Sequence, residues 1–347
     1  MVDKPQGLTS HDVVARARRL GATKKVGHAG TLDPMATGVL ILGIGRATRL
    51  LTYLVGADKE YTATIRLGQR TLTDDAEGEV TAAFGAATLL GPDGAVDEVA
   101  VEDALAALRG PITQVPSAVS AIKIDGQRSY ARVRGGEDVV LPGRPVTVHR
   151  LEVIAAPRVG AADAGAAAAG SVGTDVGDPT PIVDLDVVVG CSSGTYVRAL
   201  ARDLGEALGT GGHLVALRRT RVGPFTLAQA RTIDELAAEI DAQAEVAEPR
   251  GLAVMSLTEA ATACFPVRAL TADETSDVRV GKALTATAET GRVGLAHPGA
   301  AEHTDPADPS DQERSPVTAA MAPDGHVVAL LVDRDGRARP VLVLDPA

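Results

Sequence analysis

The chain has 347 residues, a formal net charge of −11, 45% hydrophobic but only 2% aromatic residues, and two cysteines. That length suits two domains, with a core built from Ala, Val, Leu and Ile. Two distant cysteines, Cys191 and Cys264, argue against a disulfide framework or a zinc ribbon, and the lack of a charged-then-apolar leader or an apolar run of about 18 residues argues against membrane attachment, so a cytoplasmic protein is expected.

Val2-Asp3-Lys4 reads as the end of a strand that turns at Pro5 and Gly7. Ser10 is the expected N-cap of a helix over His11–Leu20, with Val13, Val14, Ala17 and Leu20 as its apolar stripe and Gly21 as its stop. The glycine-rich stretch Gly27–Leu40 surrounds one carboxylate, Asp33. Pro34 biases that residue toward an extended conformation, which suits either an Asp-Pro turn or a held reactive group. Val39–Ile44 reads as a buried strand, 48–55 as a short helix, and Lys59–Leu67, alternating with period two, as a half-buried strand. Residues 71–94 are turn-rich and acidic, Val101–Leu108 has helical spacing, and Ser120–Ile124 with Gly126 reads as a strand and hairpin turn. Val146–Ile154 alternates again, and 158–181, rich in Ala, Gly and Asp, reads as a flexible insert. Pro181–Val189 is β-prone, and Tyr196–Leu208 is an amphipathic helix ending at Gly209. A helix near 232–245 leads to a small C-terminal region with strands near 265–270, 326–332 and 340–344, broken by a polar stretch over 287–316 that reads as disordered. Strands with irregularly placed helices predict an α+β fold with a large mixed or antiparallel sheet.

The charge is unevenly spread. Residues 1–70 carry 11 Lys+Arg against 5 Asp+Glu, and 191–231 carry 6 against 2, in an otherwise acidic chain. Two basic segments of this kind suit a polyanionic partner if they meet in space, and ordinary surface scatter if they do not.

Seven stretches follow one another in a recognisable order. They are Asp3-Lys4-Pro5-x-Gly7-x-x-Ser10, then Gly27-His28-x-Gly30-Thr31-Leu32-Asp33-Pro34-x-Ala36-Thr37-Gly38, Lys59-x-Tyr61 and Leu67-Gly68. Pro116-x-x-x-Ser120-Ala121-x-Lys123-x-x-Gly126, Ser193-Gly194-Thr195-Tyr196-Val197-Arg198 and Leu217-Arg218-Arg219 complete the set. On these motifs, which cover residues 3–231, the sequence resembles the bacterial tRNA pseudouridine-55 synthases, the TruB family. The pattern Tyr130–Gly136 departs from the family at Val133, where Ala is usual.

The resemblance implies a pseudouridine synthase catalytic domain over 1–231, with a large mixed or antiparallel sheet flanked by helices. It also implies a small, β-rich, PUA-like RNA-binding domain over 232–347. The implied reaction breaks the N1–C1′ bond of one uridine, turns the uracil and rejoins it through C5, with no cofactor and no metal. Asp33 matches the catalytic carboxylate and Arg198 its basic partner, since a nearby cation favours an ionised carboxylate. Tyr61 matches the residue that stacks on the target base and takes part at C5. His28, Tyr196 and Leu217 match residues around the flipped nucleotide, with Gly30, Thr31 and Lys59 beside them. Lys4, Lys24, Lys25, Arg46, Arg49, Arg218, Arg219 and Arg221 are candidate phosphate contacts. The implied partner is the T-arm of tRNA, met by a monomer without an obligatory protein partner. Two other readings share the scaffold: an RNA-binding or tRNA-folding protein with minor or lost catalysis, and a homologue guided by a separate RNA.

Overall fold

The computed structural model describes residues 1–117, 123–124, 127–128, 141–162, 180–246, 248, 250–286 and 316–347. The Tyr130–Gly136 pattern, most of the Ser120–Gly126 motif, residues 163–179 of the expected insert and nearly all of 287–316 lie outside these.

In chain order, β1 (Val2–Lys4) precedes α1 (Ser10–Leu20). The N-cap is Thr9, not Ser10. The Thr9 hydroxyl accepts the Asp12 N–H at 3.1 Å, and the Asp12 carboxylate accepts the Thr9 N–H at 2.9 Å. The strands β2 (Val26–Ala29) and β3 (Thr37–Ile44) flank the Asp33 loop. A 3-10 turn over Gly45–Arg49 followed by α2 (Leu51–Val55) replaces the single helix expected over 48–55. Along β4 (Lys59–Leu67) burial alternates as predicted, with Lys59, Tyr61, Ala63, Ile65 and Leu67 inside. β5 (Gln69–Thr71), at the edge of the stretch expected to be turns over 71–94, forms a hairpin with β6 (Val80–Ala83) inside it. Next come α3 (Glu98–Ala107), β7 (Gly110–Gln114), the paired β8 (Lys123–Ile124) and β9 (Gln127–Arg128), and β10 (Arg144–Val153).

The described ends of the expected insert are ordered strand. β11 (Arg158–Ala162) pairs with β12 (Thr180–Cys191), and Arg158 is held by Asp186. Alanine and glycine there lack strand propensity, but the ladder and the ion pair override it. The chain continues through α4 (Val197–Ala207), β13 (Gly212–Val222), β14 (Phe225–Thr226), α5 (Ile233–Asp241) and α6 (Leu257–Cys264). It ends with β15 (Val267–Ala269), α7 (Ala272–Arg279), β16 (Leu284–Thr285), β17 (Val317–Met321), β18 (Val327–Arg334) and β19 (Arg337–Val343).

These elements form two compact units, one of Met1–Pro34, Gly38–Ala57 and Arg221–Ala347, the other of Met35–Thr37 and Asp58–Thr220. In the first unit, β3 pairs antiparallel with both β1 and β2, and a five-stranded sheet runs in the order β15-β17-β18-β19-β16. Alternation on its strands buries both faces. Ala319, Leu330 and Leu342 enter one apolar cluster; Ala320, Leu331 and Ala338 enter another with Val278 of α7. The first cluster also takes in Val39, Leu50, Leu54, Val222 and Phe265, so the two ends of the chain share a core. Tyr53 and Phe265 meet edge to face at 6.0 Å.

The second unit holds the sheet order β13-β4-β12-β10-β7, with β11 also on β12. β4 and β12 pair antiparallel from Lys59↔Cys191 to Leu67↔Val183. α4 buries Ala199, Leu200, Ala201 and Leu204. A Cβ on Gly205 would overlap the Gly211–Gly212 backbone, so only glycine lets the helix approach the start of β13. Among the described residues no helix is long and apolar enough to cross a membrane.

Candidate active site

Asp33 lies half-buried in the loop between β2 and β3, and both its neighbours in sequence are pinned. Before it, Leu32 is bound twice by the Ser10 hydroxyl, which accepts the Leu32 N–H at 2.9 Å and donates to the Leu32 carbonyl at 3.1 Å. After it, the Pro34 carbonyl accepts the Gly7 N–H at 2.8 Å and the Lys4 ammonium at 3.2 Å. Lys4 also donates to the carbonyls of Leu8 at 2.6 Å and Pro5 at 2.9 Å. Its three N–H groups are thereby used on backbone, and it is 0% exposed. Lys4 is therefore corrected from a phosphate contact to a buried brace of the loop. His28, at the end of β2, is half-buried, and its ring meets the edge of His11 from α1 at 5.5 Å. Gly30 (φ +75°) makes the turn that Thr31, exposed, continues.

Two residues on from Asp33 the chain enters the second unit, which holds Tyr61, Tyr196, Arg198 and Leu217. There the Thr37 hydroxyl meets the Leu217 carbonyl at 3.5 Å and accepts from Arg218 at 3.3 Å. Lys59 and Tyr61 share the buried face of β4; Leu217 and Arg219 share that of β13, its neighbour in the sheet. Tyr196, half-buried, precedes α4 and has its backbone fixed by the Gln114 side chain. The amide oxygen accepts the Tyr196 N–H at 2.8 Å, and the amide nitrogen donates to the Tyr196 carbonyl at 3.1 Å.

Arg198, in the first turn of α4, is buried. Its guanidinium donates to the Thr73 carbonyl at 2.8 Å and to the Asp75 carboxylate at 3.3 Å. Asp75 is buried too, and accepts further bonds from the Thr73 hydroxyl and the Glu77 N–H. One turn along α4, Arg202 reaches Asp74 at 3.4 Å and the Val115 carbonyl at 2.8 Å. Nothing in the sequence reading singles out Asp75 or Gln114. The available signal for Asp75 is the adjacent like charges Asp74-Asp75 inside a threonine-rich turn, which need a cation if either is buried.

The basic residues divide sharply. Arg219 is 1% exposed and so, like Lys4, is corrected from a surface phosphate contact. Arg49 binds the end of β19 through the Val343 carbonyl at 2.9 Å, and Arg46 binds Asp345 just beyond it at 3.1 Å. Lys24 and Lys25 are exposed. Lys59 is buried, and burial first, then the positive charge of Arg219, pushes its ammonium down to about 8. With the folded value below the unfolded one, the folded chain binds fewer protons between about pH 8 and 10.5. The penalty is full below pH 8 and is relieved as pH rises through that window. Relative to Lys59→Met, the unaltered protein is expected to gain about 2 kcal/mol of unfolding free energy between pH 7 and pH 10. Urea titrations at both pH values check this; a constant difference would refute it.

Comparison with known proteins follows the same residues. The family model for the TruB family pseudouridylate synthase N-terminal domain matches residues 18–197. The model for the tRNA pseudouridylate synthase B C-terminal domain matches 198–256, and that for the tRNA pseudouridine synthase II C-terminal domain matches 306–345. The protein named tRNA pseudouridine synthase B of Arthrobacter sp. (strain FB24) is 54% identical over 100% of this chain and 96% of its own length. Its namesake in Thermobifida fusca (strain YX) is 48% identical over 99% of this chain and 97% of its own. A chain of the archaeal box H/ACA sRNP Nop10–Cbf5 complex shares the fold, with a TM-score of 0.63 at 23% identity, covering 99% of this chain and 85% of that one. A chain of a Cbf5–Nop10–Gar1 complex does so with 0.64 at 24%, covering 99% and 84%. The fold is thus that of the pseudouridine synthases. This chain belongs to the TruB family of pseudouridylate synthases.

Proposed function

We propose that the chain converts one uridine in the T-arm loop of tRNA, expected at position 55, to pseudouridine, with Asp33 as the catalytic carboxylate. The observation that carries this reading is identity of about half over the full length with proteins named tRNA pseudouridine synthase B, joined to an Asp33 loop braced on both sides. In the isomerisation the N1–C1′ bond breaks and the C5–C1′ bond forms. C5 loses a proton and N1 gains one, so no redox partner is required. Arg198, a buried cation held by Asp75, favours negative charge in its surroundings. The family resemblance assigns Tyr61 and Leu217 to the flipped base, His28, Tyr196, Gly30, Thr31 and Lys59 to the nucleotide, and Arg218 to the RNA backbone. Extruding the base costs a few kcal/mol, which phosphate contacts elsewhere on the arm offset.

The proposed division of labour puts the reaction on 1–231 and further RNA contact on the PUA-like 232–347. The solved neighbours are named as complexes with other proteins. We place this chain in the cytoplasm as a monomer that needs no protein partner. The test uses the purified chain alone on a bare tRNA transcript labelled with tritium at C5 of uridine, followed by position-resolved mapping of pseudouridine. Stoichiometric release and a single modified site in the T-loop are expected. Binding without release would instead favour an RNA-folding role, and a dependence on added RNA would favour a guided one.

A further inference from the structure

Ser10 is placed where a helix cap would normally be read, yet its hydroxyl caps nothing; Thr9 does that work. The Ser10 side chain reaches 22 residues along the chain and binds both polar groups of one residue, Leu32. In an extended residue the N–H and C=O point to the same side, so a single hydroxyl that accepts from one and donates to the other acts as a one-residue strand partner. It fixes the peptide planes on both sides of Leu32, and the second of these is the plane that leads into Asp33. Ser10 is 1% exposed and Leu32 4%, so water does not compete for either bond.

We propose that Ser10 is a positioning residue for the Asp33 carboxylate. This rests on the reading of Asp33 given above. The helix α1 anchors Ser10 through the Thr9–Asp12 capping box and through Val13, Val14 and Ala17, which are buried. The helix thus serves as a rigid mount, and the hydroxyl transfers its rigidity to the loop. Pro34 on the other side has a fixed φ and a carbonyl held by Gly7 and Lys4, so Asp33 is suspended between two fixed points. Loss of the Ser10 hydroxyl frees one of them. A carboxylate that wanders by about 1 Å loses rate at the reacting atoms rather than grip on a large RNA.

The test measures single-turnover tritium release at saturating enzyme, tRNA binding, and thermal unfolding for the full chain and for Ser10→Ala, Ser10→Thr, Ser10→Cys and Asp33→Asn. Ser10→Ala is expected to slow release about 10- to 100-fold with tRNA affinity within about twofold. Ser10→Thr, which keeps the hydroxyl, should recover most of the rate. Ser10→Cys fills the site with a weaker donor and acceptor and should fall between, and it gives the same reading if the alanine variant does not fold. A Ser10→Ala or Ser10→Cys chain as fast per folded molecule as the unaltered protein, beside an inactive Asp33→Asn, would overturn the positioning role alone. An active Asp33→Asn would overturn the carboxylate reading and this inference with it.

Discussion

Asp33→Asn is expected to abolish tritium release, a fall of at least about 10⁴-fold, with tRNA binding kept within about threefold. The argument is local. Asparagine is nearly isosteric with aspartate, and the Ser10 bonds to Leu32 and the Gly7 and Lys4 bonds to Pro34 fix the backbone on either side of it. The substitution therefore removes the charge and the nucleophilic or basic oxygen while leaving the loop's supports in place. Equal release by the two proteins would show that Asp33 is not the catalytic group. A chain that loses tRNA affinity by the same factor as rate would show that the loop, not the carboxylate, has been damaged.

The second large effect concerns Arg198. Its side chain is 7% exposed and that of Asp75 3%. Removing the guanidinium in Arg198→Met leaves the Asp75 carboxylate in the interior with the neutral Thr73 hydroxyl and Glu77 N–H as its partners among the described residues. A loss of about 3 kcal/mol in stability is expected, together with release slowed by about 10³-fold or more. The double variant Arg198→Met/Asp75→Leu removes both charges, so most of the stability should return. The rate should not, because the cation is still missing. Denaturant midpoints and tritium release on the same preparations separate the two effects. Recovery of both together would reduce Arg198 to a structural residue.

Much of the fold can be read from the chain by periodicity alone. β4 alternates so regularly that its buried set follows from the sequence, and α1 needs only its apolar stripe and Gly21. What escapes has physical causes. Thr9 and Ser10 are both competent caps; which one caps is decided by Leu32, 22 residues away, and no local pattern reports that demand. Lys4 and Arg219 look like surface charge because cations seldom pass inside, and only tertiary contacts reveal an ammonium spent on three carbonyls. The β5–β6 hairpin hides among acidic turn residues, although its loop is what carries Asp75. Two C-terminal helices did leave a mark: Ser256 with Glu259 and Thr271 with Glu274 are capping boxes with the S/T-x-x-E spacing. The candidate site was legible as residue types, through motifs spread over 3–231. Its supports, Ser10, Gln114 and Asp75, were not, because a support is defined by what it touches.

The shared core of the chain's two ends has a consequence for how the protein is made. Synthesis delivers residues 1–57 well before the apolar partners of Val39, Leu50 and Leu54, which include Phe265, Leu330 and Leu342. The unit that contains 58–220 is nearly continuous in sequence, whereas the unit bearing Asp33 needs a closure spanning most of the chain. A nascent chain stopped before Val327 would therefore carry every residue assigned to the reaction and still lack β18 and β19 from the core beneath its first strands. Strands β18 and β19 therefore belong to the support of the Asp33-bearing segment, although they contribute no residue assigned to the reaction.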